Sequence, residues 1–161
     1  MTECSSMDIT KFVSSDLNDF LAMSLDLWPE EKRDDLRELF HRILNASDGT
    51  GFIARKNKEA IGFATVSLRN IVNGAKTSPV GFLEGLYVKK SHRRHGVAKK
   101  LVETCEKWVK NHGCAQIGSD AMDWNHDSIM FHEKLGYKKL YTTVNFIKNI
   151  DETKICCTSP K

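Results

Sequence analysis

The chain has 161 residues, enough for one domain that buries most of its apolar surface without covalent staples. Lys and Arg total 24 against 21 Asp and Glu, and a net charge of +3 is too mild to argue for nucleic acid by itself. No run of about eighteen apolar residues occurs, so no membrane-spanning helix is expected, and polar Met1–Asp8 lacks the order of a signal peptide.

The five cysteines show no C-x-x-C and no metal-ligand spacing. Cys4, Cys156 and Cys157 are terminal, while Cys105 and Cys114 fall in apolar stretches. Free thiols, no metal and a reducing, cytoplasmic setting are the expectation.

In chain order, Met7–Val13 alternates weakly and is predicted as a strand. Ser14, Ser15 and Asp16 offer an N-cap for a helix to about Leu27, ended by Trp28-Pro29. A second helix is predicted from Pro29 to about Leu44, with Glu30, Glu31, Asp34 and Asp35 in its first turns. Gly51–Arg55 and Ala60–Arg69 form a hairpin around Lys56-Asn57-Lys58-Glu59. Val80–Val88 is an apolar strand interrupted by Gly81, Glu84 and Gly85, a pattern that suggests a bulge or a close backbone approach. A basic loop, Lys89–His95, leads to a helix from Gly96 to His112, stopped by Gly113. Cys114–Ser119 is a short strand, His126–Leu135 a helix ended by Gly136, and Tyr137–Ile150 one or two final strands. Residues 1–6 and 151–161 are expected to be loose extensions of a single domain with its core at about 7–150. The alternation of strands and helices predicts an α/β layer fold with a mixed sheet.

The informative stretch is strand, then Arg93-Arg94-His95-Gly96-Val97-Ala98, then helix. A helix start presents unpaired N–H groups and a positive dipole end, which together bind phosphate. Gly96 removes a Cβ so that backbone can close on a ligand, Ala98 keeps the next turn accessible, and Arg93, Arg94 and Lys99 add charge. The residues alone therefore say "anion at a helix N-terminus", with a solvated basic loop as the bland alternative. A nucleic-acid patch is disfavoured because no aromatics interleave with the basic residues. A dinucleotide fingerprint is absent.

This segment resembles the R/Q-x-x-G-x-G/A signature of the GNAT acetyltransferases, between their fourth strand and third helix. Phe131-His132-Glu133-Lys134-Leu135-Gly136-Tyr137 is similar to the superfamily's F-Y-E-K-L-G-F ending. Leu27-Trp28-Pro29, Val72-Asn73-Gly74, Ser78–Gly85, Tyr87-Val88 and Ser119-Asp120 further resemble the aminoglycoside 6′-N-acetyltransferases of the chromosomal type I branch. The likeness is dispersed over most of Met7–Ile150. It implies a GNAT fold, a mixed, mostly antiparallel central sheet flanked by helices, with acetyl-CoA as co-substrate and a polycationic amine as acceptor. It also implies a homodimer and no nucleic-acid or membrane partner.

The resemblance assigns residues as follows. Backbone amides around Arg93, Arg94, His95, Gly96, Val97, Ala98 and Lys99 would hold the coenzyme A pyrophosphate. Leu86, Tyr87 and Val88 would lie along the pantetheine arm, an N–H near Gly85–Leu86 would polarise the carbonyl, and Asn125 would reach the arm or simply cap its helix. Glu84 would be the base or water-positioning residue, and Asp120 would bind or deprotonate the amine. An alkyl ammonium must lose a proton before it attacks, and a nearby carboxylate can take it. The bland readings are an exposed strand charge for Glu84 and a loop or cap carboxylate for Asp120. Trp28 would wall the sugar ring or serve as core. A polycation also wants an acidic rim, available from Asp26, Glu30, Glu31, Asp34, Asp123 and Asp127.

Two positions depart from the pattern. His132 stands where many GNAT enzymes have a tyrosine acting as general acid; it is a possible acid or an ordinary helix histidine. Ile71 replaces an aromatic residue before Val72-Asn73-Gly74, in a loop expected to border the acceptor, so Ile71 and Asn73 join Trp28, Glu84 and Asp120 as substrate-site residues. Rival readings are acetylation of another amine (a polyamine, peptide or metabolite) and a non-catalytic acyl-CoA sensor.

Overall fold

A computed structural model describes residues 7–151 and 153. Strand β1 (Met7–Lys11) and a 3₁₀ turn at Ser14–Asp16 precede α1 (Leu17–Leu27) and α2 (Arg33–Asn45). Strands β2 (Gly49–Lys56), β3 (Glu59–Arg69) and β4 (Val80–Val88) follow, then α3 (Val97–Asn111), β5 (Ile117–Ser119) and α4 (His126–Lys134). The sheet order is β1-β2-β3-β4-β5; the first four strands are antiparallel and β5 joins β4 in parallel. This is the mixed, mostly antiparallel sheet with flanking helices expected from the sequence.

Local chemistry accounts for most elements. Asn57 and Lys58 both take positive φ between β2 and β3, the two-residue turn that matches strand twist. Residues Ala60–Val66 of β3 are buried without a break because helices cover both faces of the sheet. Alternation sends Phe63 into an aromatic cluster with Phe12, Phe20, Phe40 and Tyr87 beneath α1 and α2. Its neighbours Ala64 and Val66 pack on Leu101, Val102, Cys105 and Val109 of α3. Arg55 ties β2 to the start of α1 through Asp16 at 2.7 Å and Asp19 at 2.8 Å.

Three expectations require correction. The second helix starts at Arg33, not Pro29: the Glu31 amide donates to the Trp28 carbonyl at 3.1 Å, so Pro29 is the second residue of a turn. Asp34 and Asp35 remain in the first helical turn, while Glu30 and Glu31 precede it. The fifth strand is three residues long, because Cys114–Gln116 only approaches β4. Tyr137–Ile150 forms no strand. Its apolar residues are present, but no neighbouring strand offers it a ladder, and Phe146 and Ile147 are 92 % and 97 % exposed. The terminal extensions and Cys4, Cys156 and Cys157 lie outside the described residues.

Candidate active site

Strand β4 carries one residue too many for its partner. Thr65 pairs with Gly85 and Val66 with Leu83, which leaves Glu84 as a bulge. The bulge switches the phase of the backbone. Before it, the Gly81 amide donates to the Gln116 carbonyl on the β5 side; after it, the Lys89 amide donates to Ile61 of β3. Residues two apart share a direction, so Leu86 and Val88 turn their backbone groups away from β3.

Nothing pairs with that edge along β5. The β4–β5 ladder ends at Leu83–Ser119, and the next residues, Glu84 and Asp120, stand where the strands part. The register therefore sets both positions singled out from sequence directly after the last paired residues, at the mouth of the gap between the strands. A wedge opens between the strands, edged by the free backbone of Leu86.

Glu84 lies on the α1–α2 side and is fully engaged. Its oxygens accept from Arg69 Nε at 3.0 Å and Nη2 at 2.6 Å, and from the Ser67 hydroxyl. The Arg69 guanidinium rests on the Phe82 ring, 3.5 Å from its centroid. Sequence reasoning missed Ser67 and Arg69. They share a strand face with Phe63 by simple alternation, but their register against Glu84 depends on a pairing across the long loop of residues 70–79.

Trp28 covers the bulge. A Cβ at residue 85 would lie 2.9 Å from Trp28 Cη2, so only glycine admits the ring there. Beside it, Trp28, Glu31, Asp35, Leu36, Leu39 and Arg42 line an open groove of about 240 Å³. Two carboxylates beside an indole make a surface suited to a cation. Asp26, itself exposed, is engaged by the core instead, accepting from the Tyr87 hydroxyl at 2.8 Å. Burial first, and then Asp26, push the Tyr87 phenol up to about 12. Ile71 is exposed, and its loop is held by Gln116, whose side-chain oxygen accepts from the Lys76 and Thr77 amides at 2.6 and 3.0 Å.

At the far end of β4, Arg94 (φ 63°) and Gly96 (φ 78°) are both left-handed. Such kinks turn successive amides inward as an anion-binding concavity. The amides of Val97, Ala98 and Lys99 precede the first helical bond of α3, from the Lys100 amide to the Gly96 carbonyl at 3.1 Å. A Cβ on Gly96 would meet nothing within 4 Å, so the space before the helix is open. Arg93 is not extended toward that space through its Nε, which donates to the Val88 carbonyl at 2.9 Å and so braces the loop against β4.

On the opposite face from Glu84, α4 closes the wedge. Asn125 caps α4, its side-chain oxygen accepting from the Ser128 amide at 3.1 Å. His132 Nδ1 lies 2.7 Å from the Ser128 carbonyl and Nε2 3.0 Å from the Ser119 hydroxyl. Among the described residues no group of three His, Cys, Asp or Glu side chains could hold a metal, and no helix is long and apolar enough to cross a membrane.

Comparison with known proteins places this architecture. The acetyltransferase (GNAT) family model matches residues 17–137. The aminoglycoside N(6′)-acetyltransferase type 1 of Acinetobacter haemolyticus is 37 % identical over 146 residues, 90 % of this chain and all of that one. The structure of AAC(6′)-Iy with CoA superposes with a TM-score of 0.89 at 35 % identity, covering 92 % of this chain and 98 % of the other. The same enzyme with the bisubstrate analogue CoA-S-monomethyl-acetylneamine gives 0.87 at 36 % identity, covering 90 % and 99 %. An anion cradle at a helix start, a bulged fourth strand and a fifth strand parting from it thus have a shared ancestry: the chain belongs to the GNAT acetyltransferase family, among the type 1 aminoglycoside N(6′)-acetyltransferases.

Proposed function

We propose that this protein transfers the acetyl group of acetyl-CoA to the 6′-amine of aminoglycosides by direct attack in a ternary complex, within one catalytic domain spanning about residues 7–150. The observation that carries the reading is the wedge between β4 and β5, which runs from the Arg94–Lys99 cradle to Glu84 and Asp120, the first residues beyond the last paired ones. The cradle binds the coenzyme pyrophosphate through the amides of Val97, Ala98 and Lys99, with Arg94 and His95 adding donors. The pantetheine arm lies in the wedge against Leu86 and Val88, like an added strand. An amide freed by the bulge faces the thioester oxygen and stabilises the developing charge.

The acceptor enters on the α1–α2 side, between Trp28, the acidic groove and the loop of Ile71 and Asn73. Asp120 receives the reactive ammonium, and Glu84, held still by Arg69 and Ser67, positions the water or amine proton to be removed. With the nucleophile oriented over the thioester, much of the barrier is met by proximity.

The protein is further proposed to act in the cytoplasm, where acetyl-CoA is made, and to confer aminoglycoside resistance when expressed. The buried free thiols Cys105 and Cys114 fit a reducing compartment. A homodimer is proposed from the apolar arm Leu140–Ile150, whose side chains have no partner strand in one copy. Phe146→Asp would then yield a monomer by light scattering, and an unchanged particle mass would exclude the arm from the interface.

Release of free coenzyme A thiol, measured with kanamycin-type substrates, tests the activity. Turnover is expected with a 6′-amine, and none when a hydroxyl replaces it. Turnover of spermidine or peptides with no reaction on any 6′-amino aminoglycoside would replace this reading by an acetyltransferase of another amine.

A further inference from the structure

The hydrogen bonds of His132 decide its role: Nδ1 has the Ser128 carbonyl close by and the Ser128 hydroxyl at a longer 3.4 Å, and Nε2 has the Ser119 hydroxyl. A backbone carbonyl only accepts, so the 2.7 Å contact between Nδ1 and the Ser128 carbonyl places a hydrogen on Nδ1. Nε2 is left to the Ser119 hydroxyl, 3.0 Å away. The ring is further confined by Tyr137, edge-on at 5.2 Å between centroids, and by Phe131 at 5.8 Å. The hydrogen-bonded route from His132 toward the wedge runs through Ser119.

Ser119 sits at the vertex. It is the last β5 residue paired with β4, opposite Leu83, and its hydroxyl lies 3.4 Å from the Leu83 carbonyl. Paired residues on neighbouring strands point to the same face, so Ser119 follows Leu83 toward α3 and α4. Glu84 and Asp120, one residue on, turn toward the acceptor side. Proton removal from the amine and proton delivery to the leaving group are thereby assigned to opposite faces of the sheet.

We propose that Ser119 is a catalytic residue that protonates the departing coenzyme A thiolate, with His132 as the group that reloads it. This rests on the acetyltransferase reading above. When His132 carries two protons, its Nδ1–H donates to Ser128 and its Nε2–H to Ser119 Oγ; both acceptors are already in place. The serine hydrogen then leaves the Nε2 direction, its other acceptor being the Leu83 carbonyl in a long 3.4 Å contact, and exchanges that contact for the leaving sulfur in the wedge. As the tetrahedral intermediate collapses, the C–S bond breaks and its electron pair goes to sulfur. The Oγ–H bond of Ser119 breaks as S–H forms, and Oγ takes the Nε2 proton. His132 ends neutral and is reprotonated from water, which has received the amine's proton. Two protons move in one step, and no oxidant or further reactant is needed.

The test is single-turnover acetyl transfer by quench-flow, with acetyl-CoA and a 6′-amino aminoglycoside, so that product release does not mask the step. Ser119→Ala is expected to slow transfer about tenfold or more, with coenzyme A affinity by calorimetry within about twofold. Ser119→Thr, which keeps the hydroxyl, restores most of the rate. His132→Asn slows transfer to a similar extent, and the double variant is no slower than either single one, because the two act as a unit. In mixed H₂O–D₂O the wild-type rate bends with deuterium fraction, as two moving protons require, and the curvature disappears in both single variants. Transfer by Ser119→Ala within about twofold of wild type would overturn the relay, as would multiplicative losses in the double variant. A wild type that acetylates no amine at all would overturn the enzymatic reading and the relay with it.

Discussion

Replacing Gly96 by alanine separates the strain of the cradle from its contact with ligand. At φ 78° an L-residue is left-handed, and the added Cβ costs about 1 to 2 kcal/mol against its own backbone. No steric clash adds to this in the free protein, since that Cβ would meet nothing within 4 Å, and the smaller gain from a stiffer unfolded chain is common to any Gly→Ala change. In a domain of this size the loss corresponds to a melting point lower by about 3 to 6 °C. Gly113, beyond the other end of α3, supplies the control. It has φ 79° and equally open surroundings, so Gly113→Ala should lose the same stability. The two variants part company when coenzyme A is added. At Gly96 the methyl enters the space where an anion meets the amides of Val97 and Ala98. Losing one charge-assisted hydrogen bond there, about 1.5 to 3 kcal/mol, weakens coenzyme binding about tenfold or more. Gly113→Ala should bind within about twofold of wild type. Thermal melts and calorimetry on both proteins decide the matter. Equal coenzyme affinities in the two variants would refute the cradle, and an unchanged melting point in Gly96→Ala would refute the strain argument.

Glu84→Gln and Asp120→Asn should each lower steady-state turnover about tenfold or more while leaving coenzyme A binding unchanged; unchanged rates in both would remove the carboxylates from the mechanism. Arg55→Ala should cost about 2 kcal/mol in urea unfolding, because Asp16, only 5 % exposed, would lose the guanidinium that neutralises it. Alkali should destabilise the fold. Tyr87, ordinarily near 10, is pushed up to about 12 by burial and Asp26, and Cys105, ordinarily near 9, is pushed up to about 12 by burial and then Glu106. Both folded-state values lie above the unfolded ones, so this stability is whole below pH 9 and is lost as pH rises toward 12. Melting curves from pH 8 upward should show the decline, with a shallower slope in Tyr87→Phe; a flat profile would contradict it.

What the sequence made legible was whatever depends on near neighbours. The 3-4 spacing of Leu101, Val102, Cys105 and Val109 predicted α3, and Gly96 within Arg93–Ala98 marked its start, which the fold leaves open. Glycines flanking Glu84 predicted the bulge. The start of the second helix was misread because Pro29 suits both a helix start and a turn, and the Trp28–Glu31 hydrogen bond selects the turn. The strands expected in Tyr137–Ile150 failed for a different reason: a strand is a relation to a partner, and pattern alone does not supply one. The clamp on Glu84 was hidden likewise. Ser67 and Arg69 are 17 and 15 residues away along the chain, and only the β3–β4 register brings them to one carboxylate.

The Glu84 bulge links these features. Without the extra residue, β4 would continue to direct the backbone groups of its odd-numbered residues toward β5, as Gly81 and Leu83 do. With it, Leu86 and Val88 take that direction just where β5 has ended, so that neither turns its groups to β3, and the Val88 carbonyl accepts from Arg93 Nε instead. Alternation already sets Glu84 on the α1–α2 side, where Arg69 holds it, and the insertion brings Gly85 to the same side, where Trp28 packs on it. A regular strand would have satisfied every backbone group and left neither an edge for a coenzyme arm nor a floor for an acceptor. Forfeiting the ladder beyond Leu83 is therefore the structural condition of the activity. The glycines that weaken β4 as a strand are what permit it.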